Sequence, residues 1–140
     1  MKYMLMVLGR QADYDAMGGT AGGSGGPAWS QADLKAMFDH MRALNDDLAE
    51  SGEWVDGQGL AAPRQARLVT AAADGTPVVS DGPYGEAKEV LAGYWIVDVA
   101  DFARAAEIAA RAYACPVPEG AANYPVVVQP VGGGPESEIC

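Results

Sequence analysis

Between Ser30 and Gly52 runs a helical pattern with both ends marked and only one apolar side. Ser30 is a good N-cap, and Asp33 three residues on approaches a capping box. Trp29 and Leu34 occupy the two positions of a hydrophobic staple. Leu34, Met37, Phe38, Met41, Leu44 and Leu48 then recur at three- and four-residue spacing, which gathers them into one stripe. Gly52, tolerant of left-handed geometry, ends the run. A one-sided helix must bury its stripe against a second layer, so the rest of the chain has to supply one.

Strands supply it. Residues 2–9 read as a buried strand rather than a signal peptide. The apolar run is short, only Lys2 precedes it, and Gly9-Arg10-Gln11 follows without a small-residue cleavage pattern. Residues 10–28 read as a polar loop, glycine-dense from Gly18 to Gly26. A phosphate-binding loop would need Lys then Ser or Thr after its last glycine, whereas Pro27-Ala28-Trp29 follow here. Short strands are expected at about 53–57 and 65–72. Asp74-Gly75 is a hairpin signal returning the chain through Thr76–Ser80. Pro77 places that strand at an edge, since it cannot donate to a ladder. Residues 90–99, rich in aromatic and β-branched side chains, read as a central strand.

Asp101 caps a second helix, with Phe102, Ala105, Ala106, Ala109, Ala112 and Tyr113 as its packing face, and Pro116 and Pro118 stop it. Tyr124 to Val131 form a last strand. Residues 1–131 are read as a single domain and 132–140 as a flexible tail. The element order predicts an α+β, ferredoxin-like sandwich, with two helices on one face of a mostly antiparallel sheet. Its other face, with Trp54, Tyr94 and Trp95 available to it, is expected to be covered by a second copy in a homodimer.

Charge and composition exclude several function classes. The chain carries 19 acidic against 9 basic residues, a net charge of −10, and no basic run offsets it. Such a surface repels phosphate backbones and anionic membranes, so direct nucleic-acid binding is not expected. No stretch reaches the ~20 apolar residues of a membrane span. Cys115 and Cys140 form no disulfide framework and suit a reducing cytoplasm. The single histidine, His40, has no patterned serine or cysteine to activate, and no metal-ligand spacing surrounds it. Neither a metal nor a cofactor is expected.

The most specific local pattern is Asp81-Gly82-Pro83-Tyr84-Gly85-Glu86-Ala87-Lys88-Glu89. Pro83 presets φ for the second position of a β-turn, and Gly85 suits the fourth. Asp81 precedes the turn, where its carboxylate can accept from the amides ahead. In an extended stretch Glu86 and Lys88 share one side. Two readings stay open. Asp81 and Lys88 can supply an acid/base group and a cation for a substrate. Alternatively, Asp81 braces the turn and Lys88 makes a surface ion pair worth under ~1 kcal/mol.

This segment resembles the signature of the YCII-related proteins of the DGPF type, roughly Asp-Gly-Pro-Phe-x-Glu-x-Lys-Glu. Tyr84 replaces the Phe, while Glu86, Lys88 and Glu89 keep their places. The resemblance extends through Val90–Tyr94, the alanine-rich second helix and the closing Val-x-Val-x-Pro-Val. It implies a ferredoxin-like fold of the dimeric α+β barrel type. Val127 and Gln129 stand where such proteins commonly carry Glu and Arg.

Asp81, Lys88 and His40 are therefore the candidate catalytic residues, with Tyr84, Glu86 and Arg10 as candidate substrate contacts. The resemblance implies either a cofactor-free enzyme acting on a small molecule by proton transfer, or a ligand-binding or regulatory module. Proteins of this type often accompany extracytoplasmic-function sigma factors, which makes such a factor a candidate partner.

Overall fold

A computed structural model describes residues 1–19, 26–81 and 88–132. The chain is an α+β protein whose main sheet has four strands, β1 (Lys2–Gly9), β2 (Trp54–Gly59), β5 (Val90–Asp98) and β6 (Val127–Pro130). They lie in the order β2-β5-β1-β6, and each hydrogen-bonded pair is antiparallel. β1 and β2 are joined through the long helix and separated in space by β5, a split β-α-β arrangement. The central position of β5 agrees with its sequence.

The long helix, α2 (Gln31–Ser51), begins and ends where its signals lie. Asp33 N–H donates to Ser30 Oγ at 3.1 Å, Ser30 N–H donates to Asp33 Oδ2 at 2.8 Å, and Gly52 adopts φ +79°. In α3 (Phe102–Tyr113), Arg104 N–H donates to Asp101 Oδ1 at 3.0 Å. Tyr3 and Leu5 of β1 pair with Val97 and Trp95 of β5, so these four side chains share one sheet face. They form the core with Leu44 and Leu48 of α2 and with Ala105, Ile108 and Ala109 of α3. Both helices thus cover one face. Burying Leu5, Leu44, Leu48 and Val97 fully contributes roughly 1.5–3 kcal/mol each.

Met4, Met6, Leu8, Leu91, Tyr94 and Ile96 occupy the opposite face, half-buried. Trp95 and Trp54 turn to the helix side instead. In α3 the core stripe is Ala105, Ile108, Ala109 and Ala112, at i, i+3, i+4 and i+7. Phe102 and Tyr113, expected in that stripe, are about half exposed at its ends.

Two further departures are corrections. Residues 11–17, read as loop, form a helix, α1 (Gln11–Met17). Arg10 N–H donates to Asp13 Oδ2 at 2.8 Å, and Ala16 is fully buried, so tertiary packing holds a helix too short to signal itself. The last strand starts at Val127 rather than Tyr124. Pro125 cannot join a ladder, and the Tyr124 hydroxyl is committed to Asp13 instead.

β3 (Arg67–Ala71) and β4 (Pro77–Asp81) make a separate two-stranded sheet, with Gly75 at φ +89° in its turn. β4 pairs with β3 alone among the described residues, in keeping with Pro77. The glycine-rich segment 20–25, the motif residues 82–87 and the tail 133–140 lie outside the described residues.

Candidate functional site

Between the two long helices, α1 and the sheet lies a cavity of about 510 Å³. That volume suits a small organic ligand. Its walls are mostly aromatic and apolar: Trp29, Met37, Phe38, Met41, Trp54 and Tyr113 contribute. Gly57 makes room for them. A Cβ there would stand 2.6 Å from the Trp54 ring and 3.2 Å from Trp95. Phe38, more than half exposed despite its place in the apolar stripe, belongs to this wall rather than to the core.

A few polar groups converge on the cavity. Tyr124 donates its hydroxyl to Asp13 Oδ2 at 2.8 Å, and the same oxygen accepts from Arg10 N–H. Burial and this bond to Asp13 push the Tyr124 hydroxyl up to about 12, so it stays protonated at neutral pH. The Tyr14 hydroxyl lies 2.9 Å from the Leu60 carbonyl and 3.2 Å from that of Ala92, and burial raises its pKa as well. Ala92 is the extra residue of a β-bulge opposite Val7 and Leu8. Bulges redirect backbone groups, which here aims a carbonyl at Tyr14. Farther along, Trp95 Nε1–H donates to Asn45 Oδ1 at 2.7 Å. Cys115 also lines the cavity, but burial pushes its thiol up, away from the reactive thiolate.

Chemically, a carboxylate held by one protonated tyrosine hydroxyl and one backbone amide can hold, or exchange a proton with, a donor group on a ligand. Among the described residues, no three His, Cys, Asp or Glu side chains come together as a metal site.

Comparison with known protein families matches the YCII-related domain over residues 1–128. The chain belongs to that family. No curated protein matches the chain. Among the described residues, no helix is long and apolar enough to cross a membrane.

The residues singled out in this YCII-related sequence fall in several places. Asp81 ends β4, its side chain 84% exposed, and its Oδ1 lies 2.8 Å from Arg67 Nε. Lys88 is exposed, and neither it nor Asp81 lines the cavity. Tyr84 and Glu86 lie outside the described residues. His40 donates from Nε2 to the Arg111 carbonyl at 2.8 Å, tying α2 to the end of α3 outside the cavity lining. Arg10 lies beside the polar cluster: its amide holds Asp13, and its guanidinium is 3.8 Å from Glu89. Through that pair the last residue of the motif joins Arg10, Asp13 and Tyr124.

Asp13, Tyr14 and Tyr124 were missed by sequence reasoning. Asp13 carried a faint signal, an acid at the third position of the helix, where its side chain takes up the amide of residue 10. Tyr124 carried none.

Proposed function

We propose that this domain binds a small, largely apolar molecule in the cavity, and that any proton transfer on that molecule runs through Asp13. The observation that carries this is a 510 Å³ apolar chamber with a hydrogen-bonded carboxylate in its wall. This keeps the reading of a cofactor-free, small-molecule site. It rests the acid/base chemistry on Asp13 rather than on Asp81 and Lys88, both exposed and outside the lining. The Arg10–Glu89 pair supports a role for the motif as a frame beside the site.

The test is binding of the neutral fluorophore N-phenyl-1-naphthylamine. One equivalent should bind, and Ala122→Trp, which places a ring in the cavity from a half-buried loop position, should weaken it about ten-fold or more. Circular dichroism should be unchanged. Equal binding by a well-folded Ala122→Trp, or no binding by the natural chain, refutes the reading.

The sheet face opposite the helices supports a second element of the proposal. Met4, Met6, Leu8, Leu91 and Ile96 share that face, half-buried, beside Tyr94, whose hydroxyl donates to Asp56 Oδ2 at 2.8 Å. A second copy covering it would give a ferredoxin-like dimer of the α+β barrel type, by a self-complementary contact.

A further inference from the structure

Asp13 is the one charged side chain among the described residues that line the cavity. Among the described residues the two donors that engage it, Arg10 N–H and the Tyr124 hydroxyl, come to the same oxygen, Oδ2. A carboxylate's other oxygen has its own two lone pairs, so Asp13 has acceptor capacity beyond these two bonds. Nearby charges pair among themselves, Arg10 with Glu89 at 3.8 Å and Arg64 with Asp15 at 4.0 Å. The cavity therefore presents a negative group to its contents, inside a chain whose net charge is −10. Its walls include Trp29, Phe38 and Trp54, whose ring faces also attract cations.

We propose that the ligand is a small, largely apolar molecule bearing a protonated amine, with the ammonium on Asp13 Oδ1 and the hydrocarbon body among Trp29, Phe38 and Trp54. This rests on the cavity being the ligand site. An ammonium gains a charge-assisted bond and attraction that low dielectric strengthens. A neutral alcohol of equal size gains only an ordinary hydrogen bond, and a carboxylate meets like charge.

Isothermal titration at pH 7 and low salt with 3-phenylpropylamine, 3-phenylpropan-1-ol and 3-phenylpropionate separates the three. N-phenyl-1-naphthylamine reports in parallel on whether the cavity takes a ligand at all. The amine should bind about ten-fold or more tighter than the alcohol, and the carboxylate weakest. In Asp13→Asn the amine's advantage over the alcohol should fall to about two-fold or less. If the fluorophore binds but the alcohol or carboxylate matches the amine, the amine assignment is overturned and the cavity reading stands. If the fluorophore does not bind, both fall. The series on the natural chain decides the matter even if Asp13→Asn fails to fold.

Discussion

Glu53 sits where α2 passes into β2, and its carboxylate joins both to α3. Arg104 donates to it twice, Nε to Oε2 and Nη2 to Oε1, each at 2.8 Å, and Ser51 Oγ donates to Oε1 at 2.8 Å. The Arg104 hydrogen bonds are the main cause that pulls the Glu53 carboxyl from 4.5 down to about 2, against the opposing effect of burial. Taken at face value that depression is ~3.4 kcal/mol, at ~1.36 kcal/mol per tenfold. Arg104 is 43% exposed against 16% for Glu53, so solvent screens the pair and about 1–2 kcal/mol remains. Because the folded-state pKa is depressed, this stability is complete above 4.5. It is lost as pH falls through the window from 4.5 to about 2, where the unfolded chain takes up the proton first.

Glu53→Gln should therefore lower stability at pH 7 by about 1–2 kcal/mol, roughly 3–8 °C in Tm for a chain of this size. The decisive measurement is urea denaturation of both proteins from pH 7 down to pH 2. The gap between them should hold near pH 6 and close as the acid window is crossed. Other carboxylates titrate there too, but they are common to both proteins and cancel in the difference. A gap that stays constant to the lowest pH, or is absent at pH 7, refutes the assignment of the stability to this ion pair.

Spectrophotometric titration should show Tyr124 ionising at about 12, with Tyr14 and Tyr94 also later than an ordinary tyrosine. The neutral form of Tyr124 is favoured by the fold, so the associated stability is present below pH 10 and lost as pH rises through about 12. Asp13→Asn should bring that hydroxyl down, and an unmoved titration would deny the Asp13 contact. Asp81→Asn removes one side of an exposed pair, so stability should change by under about 1 kcal/mol and fluorophore binding should not change. A loss of binding without loss of stability would return the chemistry to the motif. Ile96→Lys places a charge on the open sheet face and should convert a dimer into a single chain by sedimentation. A natural chain already monomeric at micromolar concentration removes the dimer.

Much of the scaffold was legible because its signals are local. Ser30, Asp33 and Gly52 act within one helical turn of where they stand, and the strand at 90–98 carries its own β-branched and aromatic content. α1 was not legible. Seven residues carry no apolar stripe, and its stability comes from the buried Ala16 and from Gln11, whose Oε1 accepts from Arg64 N–H at 2.8 Å. The same reasoning misplaced Phe38. Period alone put it in the stripe, but the stripe is broader than the contact with the sheet, and its outer edge lines the cavity.

The site was harder still, because its bonds join distant parts of the chain. The Tyr124 hydroxyl meets Asp13 across 111 positions, and the Tyr14 hydroxyl meets Ala92 across 78. No spacing rule reaches that far. The motif drew attention because its residues are adjacent in sequence, and residues 82–87 of it lie outside the described residues. Of its described residues, Asp81, Lys88 and Glu89, Glu89 joins the cluster, and it does so through Arg10, which the fold brings alongside β5 at the end of β1. Local pattern thus pointed to the neighbourhood of the cavity, while the groups lining it were chosen by tertiary contact. A carboxylate reached from two ends of the chain can be oriented more firmly than one on an exposed hairpin. That difference in anchoring favours Asp13 over Asp81 as the group around which the proposed ligand would be organised.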